Sequence, residues 1–549
     1  MTPPTRRDVL LALSAAAAAQ AADPPQVEFR AVERNDRSAE SYLRSQITNP
    51  SDPYRGSVPD QFLLHTAGSA SGLIECLSAS FVCPQSKLHH NGELLQRIQL
   101  AAGFLERSQS SEGNVDLLAT NFNSPPDTGF VCHNVATGAA VARLYHAEEI
   151  VRALQPFLVR AAAGMSTGGI HTPNHRWVVS SALAQINALF PNPAYTRRIG
   201  QWLAEGIDID EDGQYIERST VTYNTITDRA FVVLAEKLKR PELLDPVRRN
   251  LNAMLYLMHP DGEVVTEVSR RQDQFVRAGM AGYWFPLQLL ALRDQNGQFA
   301  TLGGSLAPDH ATLPALLEYP ELSGKLPATQ PLPENYERLY PAVGLARIRR
   351  GQRDATIVLQ GNSRFFSMRN GDAVVSAVRF ATSFFGKGQF IPTASTKYAL
   401  QQSLQAPYYQ PLDPPQRVTY RNWEDLRSKR KQTQVCRLTQ SATITETKTG
   451  FTLHIESKGT NGVPLAIEIN LREGAQIEGA RAVPNQPDAW LLDRDFANIR
   501  AGRDRIRIGP GAAPHLNIQL RGAEPKLAGP SLYITGYTPF DHTIAFDCV

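Results

Sequence analysis

From about residue 60 to residue 300 apolar side chains recur three and four positions apart, and beyond residue 336 the spacing drops to two. The first pattern predicts amphipathic helices and the second predicts half-buried strands. Leu94, Leu95, Ile98 and Leu105 form one helical stripe, and Val135, Ala139, Val141 and Leu144 form another. Further stripes run through Val178, Ala182, Ile186 and Leu189, through Phe231, Leu234 and Leu238, and through Leu251, Met254, Leu255 and Leu257. Pro191-Asn192-Pro193, Asp212-Gly213 and Asp261-Gly262 punctuate them with residues that end helices or turn the chain. Helix follows helix with no sustained strand alternation, which predicts an all-α layered half, either a solenoid or a toroid. Residues 303–336 carry two adjacent glycines and six prolines and read as a joint with at most one short helix. After it, short β-branched runs at 355–359, 364–368, 373–378, 442–446, 451–455, 465–469, 505–508 and 516–520 predict strands. Turn signals at Asn370-Gly371 and Asn461-Gly462 separate several of them, so the last 200 or so residues are expected to form an antiparallel β-sandwich.

The length of 549 residues fits this two-part reading, since one hydrophobic core does not keep growing to that size. Apolar residues at 42% and charged residues at 20% mark an ordinary globular chain. The formal charge of +3 gives no field that would argue for nucleic acid, and no apolar run is long enough for a membrane span. Arg6-Arg7 followed by an apolar, alanine-rich stretch to Ala21 has the regions of an export signal of the twin-arginine type. The expected division is an export signal at 1–22, a helical domain at 23–302, the joint at 303–336 and the sandwich at 337–549. The mature chain is accordingly expected to be periplasmic or secreted. Cys76, Cys83, Cys132, Cys436 and Cys548 form no CxxC pair, and Cys83 near His89 and His90 matches no zinc spacing.

Two loops stand out for polarity between apolar helices. One is His171-Thr172-Pro173-Asn174-His175-Arg176-Trp177, and the other runs from Asp212 to Asn224. Each precedes a helix, where free backbone N–H groups and the dipole favour an anionic ligand. Asn, His, Tyr and Arg together suit β-elimination at a uronic acid. The sugar carboxylate must be neutralised to acidify the C5 proton, a base must remove that proton, and an acid must protonate the departing O4. Glycoside hydrolysis would instead ask for two carboxyl groups across the bond.

The order of helical half and then sandwich, Asn174-His175 opening a helix, and the run 212–219 (DGQYIERS) followed by Tyr223-Asn224 resemble the heparinase II/III-like and related alginate lyases. The resemblance implies an N-terminal incomplete α/α toroid followed by a C-terminal antiparallel β-sandwich, with the polymer held in the cleft between them. It implies that Asn174 neutralises the carboxylate, that His175 is base or carboxylate partner, and that Tyr223 is the catalytic acid, or acid and base both. Two departures stand against it. A catalytic histidine usual early in the β domain is missing from the loop Phe384-Phe385-Gly386-Lys387-Gly388-Gln389-Phe390, where Lys387, Gln389 or the nearby Tyr398 are the available substitutes, and Asn224 stands where a histidine usually follows the tyrosine.

The leading expectation is an exported polysaccharide lyase acting on a uronate-containing polymer, needing no metal or other cofactor. Arg218, Arg270, Arg271 and Gln389 are its candidate substrate-binding residues. The alternatives are a glycoside hydrolase using carboxylates among Asp210, Glu211, Asp212 and Glu217, or a carbohydrate-binding scaffold. Plainer readings stay open for each residue. Asn174 is also a good helix cap, Glu217 and Arg218 read as a surface ion pair, and Arg270-Arg271 read as a solvated helix face. Asn121, Asn123, Asp127, His133 and Asn134 read as a polar loop around Pro125-Pro126, able to line a sugar subsite. The basic run 427–431 reads as a solvated loop face.

Overall fold

The computed structural model describes residues 27–307, 311–382, 390–393 and 397–549. The expected export signal, Lys387 and Gln389 lie outside the described residues. The chain divides into two compact units, one comprising Met1–Met254 and Ser269–Leu332, the other Leu255–Val268 and Pro333–Val549.

The first unit is an incomplete α/α toroid. Its helices are α1 (Phe29–Ser45), α2 (Ala67–Val82), α3 (Gly92–Ser108), α4 (Pro125–Leu144), α5 (Glu148–Thr167), α6 (Asn174–Leu189), α7 (Pro193–Ala204), α8 (Tyr223–Leu238), α9 (Asp245–Met254), α10 (Trp284–Arg293), α11 (Gly297–Ser305) and α12 (Thr312–Glu318). Alternate helices pack together: α2, α4, α6 and α8 follow one another in an inner row, and α3, α5 and α7 lie side by side outside them. Burial separates the rows. In α6 14 of 16 residues are buried, whereas in α7 only Tyr195 and Ile199 are. Small residues let the inner row close up. A Cβ added to Gly129 of α4 would sit 3.0 Å from the side chain of Val178 on α6, and one on Gly138 would sit 3.1 Å from Ser78 on α2.

The expected polar loop around Pro125-Pro126 is instead the first turn of α4, so His133 and Asn134 are helical. Two prolines there cost no hydrogen bond, because the first turn has no intrahelical acceptor for its N–H groups. Ser124 caps the helix by accepting from the Asp127 amide. Arg270 and Arg271 lie on an irregular segment rather than on a helix face. The stripe through Leu251 also stops early, since α9 ends at Met254 and Leu255 and Leu257 belong to the second unit.

The second unit is a β-sandwich. One sheet has the central strands Asp504–Gly509, Phe540–Cys548, Gly450–Gly459, Gln432–Glu446 and Ala399–Tyr409. The other has Ser531–Tyr537, Pro464–Leu471, Ala373–Thr382, Phe366–Asn370, Arg353–Val358, Leu345–Arg350 and Asn335–Tyr340. Pairing is antiparallel except where the short strand Ala489–Leu491 meets Ser531–Tyr537. Phe366, Phe451, Phe546, Ile467 and Ile544 belong to the buried apolar core. Asn370-Gly371 turns the chain between paired strands, with Gly371 at φ +54. The run 516–520 is not a strand. Ile518 and Leu520 are buried, so the alternation records burial without pairing.

Candidate active site

The two polar loops meet at the N-terminal ends of the neighbouring inner helices α6 and α8. The first turn of α6 is pinned from below: Trp177 is fully buried, its indole N–H donates to Asp208 (2.8 Å), and Arg176 donates to the same carboxylate (2.8 Å). That carboxylate leads into the second loop. Gly213 stands there at φ +81, 2.6 Å from the Arg249 carbonyl measured from an added Cβ, so a side chain would both strain and clash.

Asn174 is the first residue of α6 and is buried. Its amide nitrogen donates to Glu217 (2.6 Å) and to Thr172 (3.2 Å), while its Oδ1 is buried without a partner. It does not cap the helix, which removes the plainer reading of this residue. Glu217 is 7% exposed rather than half of a surface ion pair. Burial raises its pKa, against the lowering pull of the Asn174 hydrogen bond and of Arg271, whose Nε lies 3.5 Å away. Arg271 in turn covers the ring of Tyr223, 4.9 Å from its centre, and the neighbouring phenol holds the guanidinium pKa up. Gln272 donates to the same phenol oxygen (3.0 Å). An unbroken chain of contacts therefore runs from Asn174 through Glu217 and Arg271 to Tyr223.

His175 follows Asn174 and packs edge-on against His171, with ring centres 4.7 Å apart. Burial, helped by His171, lowers its pKa to about 4, so it is neutral at ordinary pH, and its Nδ1 has no hydrogen-bond partner. Tyr223 opens α8 and is positioned through its backbone. Its N–H donates to Ser219 Oγ (3.0 Å), and Ser219 donates to the buried Asp273 (2.7 Å). Asp273 also accepts from Ser269 and from the amides of Val221 and Thr222. Asn224 points elsewhere: it is fully buried and donates to Gln214 (2.9 Å).

Arg218 and Arg270 flank the cluster. Burial, and after it the charge of Arg270, depresses the pKa of Arg218, and Arg270 is exposed. An open groove of about 380 Å³ runs beside His171, lined by Asn121, Phe122, Asn123 and Ile170. Phe122 is exposed on it. Among the described residues, no group of three His, Cys, Asp or Glu side chains is placed to hold a metal ion. In the second unit, His454 is exposed and paired with Asp541 (2.9 Å), and the Tyr398 hydroxyl is engaged by Glu337. Sequence reasoning missed Glu217 as the partner of Asn174, and Gln272 and Asp273 altogether. The polar run Ser269-Arg270-Arg271-Gln272-Asp273 was the available signal.

No protein-family model matches the sequence, and no curated protein matches it. The fold is that of solved polysaccharide lyases. The chondroitin AC lyase of Streptomyces coelicolor A3, solved with chondroitin sulphate, aligns over 96% of this chain and 80% of its own at 12% identity, with a TM-score of 0.55. A Paenibacillus xanthan lyase aligns over 94% of this chain at 10% identity and TM-score 0.54, and the match spans only 55% of that larger protein. A chondroitinase AC lyase solved as oligosaccharide complexes aligns over 95% of this chain and 81% of its own, at 9% identity and TM-score 0.50.

Proposed function

We propose that the chain is an exported polysaccharide lyase that cleaves a uronic-acid-containing polysaccharide by β-elimination. The observation that carries this reading is the contact chain from Asn174 through Glu217 and Arg271 to Tyr223 at two adjacent helix N-termini. The lyases that share the fold support it. In this reading the uronate carboxylate docks at Asn174 and the opening of α6, with Arg218 and Arg270 offering further cationic contacts.

Asn174 needs a free donor for that task, and its amide nitrogen is engaged by Glu217. A half-turn of the amide resolves this when Glu217 holds a proton. The carboxylic acid then donates to Oδ1, and the NH2 takes the buried place that Oδ1 now holds, released from Glu217. The raised pKa of Glu217 favours that protonated form, and the partnerless Oδ1 is the acceptor it would serve. His175, held neutral by its burial, takes the C5 proton. The electron pair forms the C4–C5 double bond, the C4–O4 bond breaks, and Tyr223 gives its hydroxyl proton to O4. Gln272, a donor at the Tyr223 oxygen, and the Arg271 guanidinium over its ring meet the charge left there. Phe122 and the groove beside His171 supply a face for a neighbouring sugar.

The purified chain, incubated with a panel of uronate polymers, should generate the ultraviolet absorbance of a conjugated unsaturated uronate. New reducing ends without that absorbance would overturn the reading in favour of hydrolysis.

A further inference from the structure

The strands Ala399–Tyr409 and Gln432–Glu446 of the second unit pair into a long hairpin, and residues 410–431 form its tip. The tip is built rather than loose. Gln410 N–H donates to the Lys431 carbonyl (2.9 Å) and closes the ladder, Asn422 holds the turn through Thr419 and Arg417, and Leu412 and Leu426 are buried beneath. Above those anchors the surface is aromatic and basic. Tyr408, Tyr420 and Trp423 are exposed, Tyr420 to 86%.

The tip holds six basic residues against three acidic ones, so these 22 residues carry a net charge equal to the +3 of the whole chain. Arg427 pairs with Glu424 (2.9 Å). Arg417, Arg421, Lys429, Arg430 and Lys431 have no carboxylate within ion-pair distance among the described residues. Three arginines lie on aromatic rings: Arg421 over Tyr420 (5.2 Å), Arg430 over Trp423 (4.9 Å) and Arg427 over Tyr409 (6.0 Å). A stacked guanidinium covers a ring face and keeps N–H groups at its edge.

We propose that this tip is a docking surface for an anionic polysaccharide. The arginine edges take carboxylates bidentately, and the free ring faces pack against sugar rings. A nucleic acid is the other polyanion that basic and aromatic groups attract, and the test below decides against or for it. The choice of a carboxylate-bearing polymer rests on the polyuronate reading above. The surface itself rests on the tip alone.

Affinity electrophoresis of the full chain through gels containing alginate, neutral dextran or single-stranded DNA tests it. Alginate should retard the protein and lose its effect at high salt, and dextran should not retard it. The variant combining Arg417→Ala, Arg421→Ala, Lys429→Ala and Lys431→Ala should bind alginate about tenfold more weakly. The pair Tyr420→Ala and Trp423→Ala should also weaken binding, with circular dichroism unchanged in both variants. Equal retardation of wild type and charge variant in alginate, or tighter binding to DNA than to alginate, would overturn the proposal. Turnover of a short uronate oligosaccharide, measured in parallel, separates the two ideas. A wild type that alginate does not retard but that still forms unsaturated product sinks the tip alone, and retardation of the wild type without product sinks only the lyase reading.

Discussion

Glu217 is the residue on which the chemistry turns. If it works as a protonated donor to Asn174, glutamine reproduces it, because the Gln amide presents an N–H to the same oxygen. Glu217→Gln is therefore expected to keep kcat/KM within a few fold. Glu217→Ala, which leaves the buried Asn174 amide unanchored, should lower it by about a hundredfold. A Gln variant as damaged as the Ala variant would show that Glu217 acts as an anion. His175 offers a second check. Its C–H resonances should titrate near pH 4 rather than near 6.5. With the folded pKa depressed, the unfolded chain takes up the proton first, so His175 costs stability as pH falls from about 6.5 toward 4 and nothing above that window. The residue types of the site were legible because Asn174, His175 and Tyr223 open helices. Their partners were not. Glu217 next to Arg218 looks like a solvated pair in one dimension, and Gln272 lies 49 residues from the Tyr223 hydroxyl it contacts.

At the scale of elements, the turn before α8 positions Tyr223 and depends on one carboxylate. Asp273 accepts from two hydroxyls and two backbone amides spread over residues 219–222 and 269. Asp273→Ala leaves those buried donors unsatisfied. It is expected to cost about 3 kcal/mol in denaturant unfolding and to reduce kcat more than it raises KM. Helices α3, α4, α6, α8 and the end of α9 were readable from period, whereas α7, with only Tyr195 and Ile199 buried, shows too little of a stripe to be read. The start of α4 was hidden by Pro125-Pro126, which signal a loop unless the first-turn exemption is applied. The run 516–520 alternates like a strand because Ile518 and Leu520 bury, and alternation alone carries no information about a pairing partner.

At the scale of the whole chain, the sandwich unit recruits residues 255–268 from within the helical half of the sequence. Inside that unit His259 bonds Asp354 (2.7 Å), and Asp354 also pairs with the fully buried Arg347. Burial pushes the Asp354 carboxyl up, but Arg347 and His259 outweigh it and hold it well below the usual carboxylate range. Its contribution is thus present above the ordinary carboxylate pKa and is lost only as pH falls far below it. Asp354→Ala strands the Arg347 charge in the interior and should lower the stability of this unit by about 3–5 kcal/mol in urea unfolding. Such a recruitment is invisible to periodicity, because Leu255 and Leu257 continue the stripe of the preceding helix. The two-part architecture was legible from the change of period alone.

Elimination and hydrolysis differ by one molecule of water. Mass spectrometry of a defined uronate oligosaccharide before and after cleavage should give two fragments whose masses sum to that of the substrate. Fragment masses that exceed it by one water would contradict the account.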